Sequence, residues 1–237
     1  MGNELKQREP MKAIERALAD CSHDKLRGMT LMERTMTLAE SMVIMRQNFT
    51  GDVLARVKSL VDTPLGFMTD RATSDKPYPD TTIRDCVIEA MLRGAQPIGN
   101  EFNIIGGRCY PTKAFFERQL RQFPGLTELR ISEGVPQNSG SGALVPMRAT
   151  WKLHGQPDEL ACVDDPQAGD TRIAVRVNSG MGVDAILGKA KRKLLKRIFD
   201  RLTGSEWVDS EEDLEPELTE VVEPTQQAQP EPEFALE

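Results

Sequence analysis

Apolar residues recur three and four positions apart through the first third of the chain, which places them along one side of a helix. The stretch TLME, Thr30 to Glu33, fits a capping box with Thr30 as the cap and Glu33 reaching back. Leu31, Met32, Leu38, Met42, Ile44 and Met45 follow it. A second helical pattern covers Asp52–Val61, with Val53, Leu54, Val57, Leu60 and Val61 on one side and Pro64 as its stop. The polar stretch DRATSDKPYPD then connects to a third helix that starts near Thr82. It carries Ile83, Val87, Ile88, Met91 and Leu92 to Gly94.

The period changes at Gly99. EFNIIGGRCY is two short apolar runs flanking Gly106-Gly107, a pair suited to the positive φ angles of a tight hairpin turn. A helix is expected over PTKAFFERQLRQF, with Pro111 near its first turn and Pro124-Gly125 as its stop. Strands are expected in LTELRIS, ALVPMRATWKL, ELACV and TRIAVRV. In the last of these, Arg172 and Arg176 bracket an alternation of apolar residues that fits a half-exposed strand. GVPQNSGSG reads as a long flexible surface connector or a mobile gate. No internal repeat is present.

The last periodic segment is GKAKRKLLKRIFDRLTG, Gly188 to Gly204. At ~100° per residue, Leu187, Leu194, Leu195, Ile198 and Leu202 fall on one side. Lys189, Arg192, Lys193, Lys196 and Arg197 fall on the other, and Lys191 lies near the apolar stripe, where it must snorkel or line a groove. One reading is a plain solvated face. Exposed helix faces usually mix Glu with Lys, however, and Asp200 is the only acid between Asp184 and Glu206. Unbalanced charge of one sign favours an anionic partner: a nucleic-acid backbone, an anionic membrane surface or an acidic protein.

The charge of the whole chain is −7 over 237 residues. Twelve of its 37 acidic residues, and none of its 30 Lys and Arg, lie in 205–237. Residues 1–204 therefore hold 25 acids against 30 bases, a net of +5. A mildly basic body precedes an acidic, Pro- and Gln-rich tail whose composition predicts disorder. The expected organisation is a helical N-terminal region at 1–62 that is a candidate for oligomer contacts, a nucleic-acid-binding core at 63–204, and the tail at 205–237. The fold class expected is α+β, a small antiparallel or mixed sheet packed with helices.

Basic residues outside the last helix extend the picture. Arg108, Lys113, Arg118 and Arg121 surround the Gly-Gly hairpin and the helix after it, and Arg172 and Arg176 precede the basic helix. Aromatic residues are only 5% of the chain. Base stacking then has few platforms, with Tyr110 and Trp151 the best placed, and backbone tracking is the expected mode. Cys21, Cys86, Cys109 and Cys162 are widely spaced and read as reduced thiols, with no metal site. The polar start, MGNELKQREP, is no secretory signal, and no apolar run is long enough to cross a membrane. A cytoplasmic protein is expected. No GxxxxGK[ST] loop is present.

The order of these segments resembles the phage single-strand annealing recombinases of the RecT and Redβ type, over roughly residues 63–204. In that family a helix runs into a "GL-P" turn, an apolar strand, a turn and a strand leading into a helix, with a "KA-RK-xx-R" helix near the end. GAQP, NIIGG and KAKRKLLKR take those places here. The resemblance implies a protein that binds single-stranded DNA in a basic groove and pairs it with its complement without ATP, as a ring or filament. It also implies a partner exonuclease, a host single-strand-binding protein, and residence in the cytoplasm of a bacterial host beside its nucleoid. Lys189, Arg192, Lys193, Lys196 and Arg197 match the family's basic helix, and Arg108 and Lys113 fall near its hairpin. With Arg172, Arg176 and Lys191 these make the candidate DNA-binding set. No catalytic residue, cofactor or metal is expected.

Two other classes remain open. A Mg²⁺-dependent nuclease would need clustered carboxylates on a sheet, and Asp164, Asp165 and Asp170 lie close together in the turn DDPQAGD. A membrane-surface or structural protein would use the basic helix as an anchor, although that helix lacks Trp on its apolar side.

Overall fold

The N-terminal third is helical, as its spacing predicts, although Leu31, Met32, Met36 and Val43 remain exposed. In the computed structural model, which describes residues 2–167 and 169–204, α1 (Gly2–Asp20), α2 (His23–Arg27) and α3 (Leu31–Asn48) lead the chain. The capping box at the start of α3 is formed. The Glu33 amide donates to Thr30 Oγ1 at 3.3 Å, and the Thr30 amide donates to Glu33 Oε2 at 2.8 Å. α1 buries Ile14 and Ala17 and packs chiefly on α3, which buries Ser41 and Met45. The expected tail, 205–237, lies outside the described residues.

α4 (Gly51–Lys58) ends before the Val61 that the pattern suggested. Residues 59–63 instead form hydrogen-bonded turns, and Val61 bridges to Phe67. Gly66 is required there, since a β-carbon would overlap the Leu60 carbonyl oxygen. β1 (Met68–Thr69) follows, then α5 (Asp80–Leu92), β2 (Phe102–Ile105) and β3 (Arg108–Pro111). β2 pairs in parallel with β1 and antiparallel with β3. α5 buries Ile83, Val87, Ile88 and Leu92, with α3 and β3 both packed against it. Pro111 closes β3, where it is buried and pairs with Phe102, and α6 (Lys113–Arg121) starts two residues later.

β4 (Leu126–Glu133), β5 (Gln137–Ser139), β6 (Gly142–Val145), β7 (Met147–Leu153) and β8 (Gln156–Cys162) come next. β4–β7–β8 is one antiparallel sheet and β5 pairs with β6 in another. Together β4–β5 and β6–β7 are two arms of a long hairpin, bent where the Gly134 amide donates to the Pro146 carbonyl at 2.8 Å. This overturns the expectation of a free connector or gate over GVPQNSGSG. Gln137, Asn138 and Ser139 pair through their backbones with Leu144, Ala143 and Gly142. Their side chains are exposed, so no apolar alternation betrays the strand.

β9 (Asp164–Asp165) and β10 (Gly169–Asp170) form a small antiparallel pair, and β11 (Ile173–Arg176) pairs with β6. β11 alternates as expected, with Ile173 and Val175 buried and Ala174 and Arg176 exposed. α7 (Val183–Thr203) then crosses the inner side of these strands and packs on α6. Phe199 meets Phe115 and Phe116 edge-on or tilted at 5.9 and 5.8 Å. The buried apolar residues from Ile14 to Phe199 join one cluster. The chain is α+β, with helices packed on small sheets, and among its described residues no helix is long and apolar enough to cross a membrane.

Candidate nucleic-acid interface

The hairpin β2–β3 sets one wall of the site. Gly106 and Gly107 have φ of 57° and 74°, the left-handed pair that a two-residue turn requires. Side chains alternate across the hairpin. Phe102, Ile104 and Pro111 are buried, whereas Asn103, Ile105, Arg108 and Tyr110 share the other face. Phe67 stacks on Phe102 beneath it at 4.5 Å.

The polar connector before α5 fixes the hairpin tip. Asp70 Oδ2 accepts the Gly106 amide at 3.0 Å, and Asp70 Oδ1 accepts the Tyr78 hydroxyl at 2.8 Å. The Tyr78 oxygen in turn accepts the Gly107 amide at 2.8 Å. Burial and the Asp70 carboxylate raise the Tyr78 phenol above its ordinary value, so it remains a donor. Arg71 lies over the Tyr78 ring at 4.2 Å. Sequence alone missed this clamp, because Asp70 and Tyr78 are separated from the turn by a whole helix. Their only sequence signal was an aromatic residue and acids within a stretch otherwise suited to a linker.

α7 forms the floor. Its buried positions, Ile186, Ala190, Arg192, Leu194, Leu195, Ile198 and Phe199, span about 240° of the wheel. This corrects the division into one apolar and one solvated side. Arg192 is buried at 7% exposure. Its guanidinium lies 4.5 Å from the centre of the Tyr110 ring and donates to the Pro111 carbonyl at 3.3 Å. Lys196 is nearly covered and pairs with Asp200 at 2.7 Å, so it serves the helix itself. Arg197 is exposed as a residue, but its guanidinium donates to the Thr171 carbonyl and Cys162 Sγ, both at 3.4 Å. Lys189, Lys191 and Lys193 are half-buried, and Lys193 Nζ donates to the Ala174 carbonyl at 3.0 Å.

These contacts order the cations in space. Arg192 joins α7 to Tyr110 and Pro111, and Lys113 starts the helix two residues beyond. Lys193 joins the next position of α7 to β11, where Ala174 and Arg176 share the exposed face. The hairpin end at Tyr110–Pro111 and the stretch Lys189–Lys193 of α7 are therefore neighbours, and Lys193 reaches the backbone of β11, whose exposed residues Ala174 and Arg176 lie on the face away from Ile173 and Val175. Arg108, Lys113 and Arg176 are exposed, and Lys113 lies 3.9 Å from Glu117 one turn along α6.

Other expected cations are diverted. Arg172 is clasped by Asp170 at 2.7 Å and Asp164 at 3.6 Å, and also donates to Gln137, leaving its side chain 12% exposed. The hydrogen bond from Arg172 holds the Asp170 carboxyl below its usual range. Arg118 is bound by the buried Glu101 carboxylate and donates to the Gly94 carbonyl at 2.6 Å. Asp164 and Asp170 of the DDPQAGD turn thus hold a guanidinium, and among the described residues no group of three or more His, Cys, Asp or Glu is placed to hold a metal ion. Trp151 is buried at 2% and Arg201 lies over it at 5.6 Å, which removes it as a stacking platform.

The exposed face of β4–β7–β8 also carries Arg130, Arg148 and Lys152, and two of the three are held by acidic partners. Lys152 pairs with Glu128 at 2.6 Å and Arg148 with Glu159 at 3.7 Å. No protein-family model matches the chain, and comparisons with curated proteins and with solved structures find no match.

Proposed function

We propose that this chain binds single-stranded DNA along the surface formed by β2–β3, the start of α6, α7 and β11, and anneals it to a complementary strand without ATP. The observation that carries this reading is the Arg192–Tyr110 contact, which sets the basic stretch Lys189–Lys193 of α7 beside the hairpin that carries the exposed Arg108. The resemblance to the RecT and Redβ type of recombinase, noted from segment order, agrees with it. On the same reading the protein is not an enzyme. It works as a ring or filament in the bacterial cytoplasm, beside an exonuclease that exposes the strand and the host's single-strand-binding protein.

The chemistry is electrostatic. Two complementary strands repel through their phosphates. A row of cations neutralises the first strand and releases its counterions, while phosphate contacts fix position without reading sequence. Tyr110 offers a ring on this surface, with Arg192 against it. Bases left unread by the protein can test register with the incoming strand, so mismatches slow annealing and leave first binding nearly unchanged.

Gel shifts with single- and double-stranded DNA beside liposome co-sedimentation separate this from the membrane-surface reading. Retention of single strands with no liposome binding supports it, and liposome binding alone defeats it. A nuclease would shorten the labelled strand in Mg²⁺.

A further inference from the structure

We infer that two copies of this chain pair through the outward face of α3, packed antiparallel on the same face of the second copy. This goes beyond the DNA-binding reading and does not depend on it. One side of α3 packs on α1 and α5 and buries Ser41 and Met45. The other side is apolar and open. Met32, Met36, Ala39 and Val43 fall within about 60° of the wheel, at the four-three-four spacing of a helix seam. Leu31, Met32, Met36 and Val43 are 79%, 69%, 51% and 53% exposed. Beside this stripe runs a groove of about 520 Å³ between α3 and α5. Leu38, Met42 and Arg46 form its α3 wall, and α5 contributes Cys86 and Leu92.

The polar groups on this face are already paired. The Thr35 hydroxyl donates to the Leu31 carbonyl at 2.8 Å. Arg46, at one end, lies 3.5 Å from Asp85. Covering the face therefore leaves both side chains with partners.

A second copy is the occupant because the pattern matches itself in one register. Two α3 helices are set antiparallel about a two-fold axis that passes between Thr37 and Leu38. Met32 then meets Val43 of the second copy, and Met36 meets its Ala39, so each long side chain faces a shorter one. Leu31, Met42 and Arg46 share one flank of the stripe. The same register therefore carries Leu31 over the second copy's groove, between its Met42 and Arg46. Glu33 and Glu40 lie on the other flank and stay in water. A parallel pair would press the Leu31 and Met42 flank against those carboxylates, at a desolvation cost. The four exposed apolar side chains offer on the order of 500 Å² per copy. With Thr35, Ala39, Met42 and Arg46 at its edges, the contact reaches the roughly 1,200 Å² total at which specific pairs begin. A two-fold contact closes on itself. It is therefore separate from the head-to-tail contacts of a ring or filament.

The test uses the full chain without DNA. Sedimentation equilibrium compares the wild type with Met32→Glu/Met36→Glu. Both positions are exposed and Glu is a good helix former, so circular dichroism should show the fold intact. The wild type should pair at micromolar concentrations, and the variant should pair about a hundredfold more weakly or worse, because four carboxylates would enter an apolar contact. Register is read by disulfide formation. Met32→Cys mixed with Val43→Cys should cross-link about tenfold faster than Met32→Cys alone, whose sulfurs would sit about 16 Å apart along the two helices. A wild type that stays monomeric overturns the proposal, and so does a pair that survives the two glutamates. Met32→Cys that links readily to itself overturns the antiparallel contact. A monomer that binds liposomes, and loses them in the variant, overturns it in favour of a membrane-facing stripe. Each result leaves the DNA-binding reading to its own test.

Discussion

The guanidinium of Arg192 lies 4.5 Å from the centre of the Tyr110 ring, and the same group donates to the Pro111 carbonyl. One buried cation therefore fastens α7 to the end of β3, just before α6. It positions Lys189 and Lys193 relative to Arg108 and Lys113.

Arg192→Ala should lower stability by about 2–4 kcal/mol, since packing, a charge-assisted hydrogen bond and a cation–π contact are lost together. Urea unfolding monitored by circular dichroism measures it. A double-mutant cycle with Tyr110→Leu should give a coupling of roughly 1 kcal/mol. Zero coupling would mean that the ring and the guanidinium are neighbours without interaction.

Lys189→Ala with Lys193→Ala should reduce the log–log salt slope of single-strand binding by about 1.4, because each lost phosphate contact counts about 0.7. Lys196→Ala should leave the slope nearly unchanged and cost roughly 1–3 kcal/mol of stability, since it strips the partner from a largely covered Asp200. A slope change from Lys196 equal to that from Lys193 would contradict the assignment of Lys196 to its ion pair.

Tyr78→Phe removes the bonds that link Asp70, the phenol and the Gly107 amide, at a cost of about 1–2 kcal/mol. Hydrogen exchange at the Gly106 and Gly107 amides should quicken by roughly tenfold or more, with exchange in α5 little altered. Unchanged exchange at the turn would show that the hairpin holds its shape without the clamp.

The elements themselves were largely legible. The capping box at Thr30, the Gly106-Gly107 turn, the alternation of Ile173 and Val175 and the basic helix all follow from local chemistry. What escaped was long-range partnership. Arg192 looks solvent-facing on a wheel, because a wheel cannot show that Tyr110, 82 positions earlier, supplies a second packed side. Arg172 and Arg118 look available until Asp170 and Glu101 are seen to hold them. The strand at Gln137–Ser139 is stabilised by backbone pairing with Gly142–Leu144, and polar exposed side chains leave no periodic trace of that.

Cys86 is buried beside Glu89 and Asp85, and burial chiefly pushes its thiol up to about 12 from an ordinary value near 9. Burial raises Cys109 in the same direction. Both should stay neutral and react slowly with a disulfide reagent at pH 8 in the native protein, and quickly once unfolded. A raised folded value stabilises fully below pH ~9 and is lost as pH climbs towards 12, so alkaline titration should destabilise the fold from about pH 9 upward. Rapid labelling of native Cys86 would contradict its burial under the hairpin.

The central claim is that this surface gathers one strand and pairs it with another. Two complementary oligonucleotides carrying a donor and an acceptor dye are mixed with purified protein, without ATP or Mg²⁺, and the rise in energy transfer is timed. The account predicts annealing well above the protein-free rate, and a loss of most of that gain when Arg108, Lys189 and Lys193 are changed together to Ala in a chain that still folds. Annealing no faster than without protein, at concentrations where the strand is bound, would contradict it.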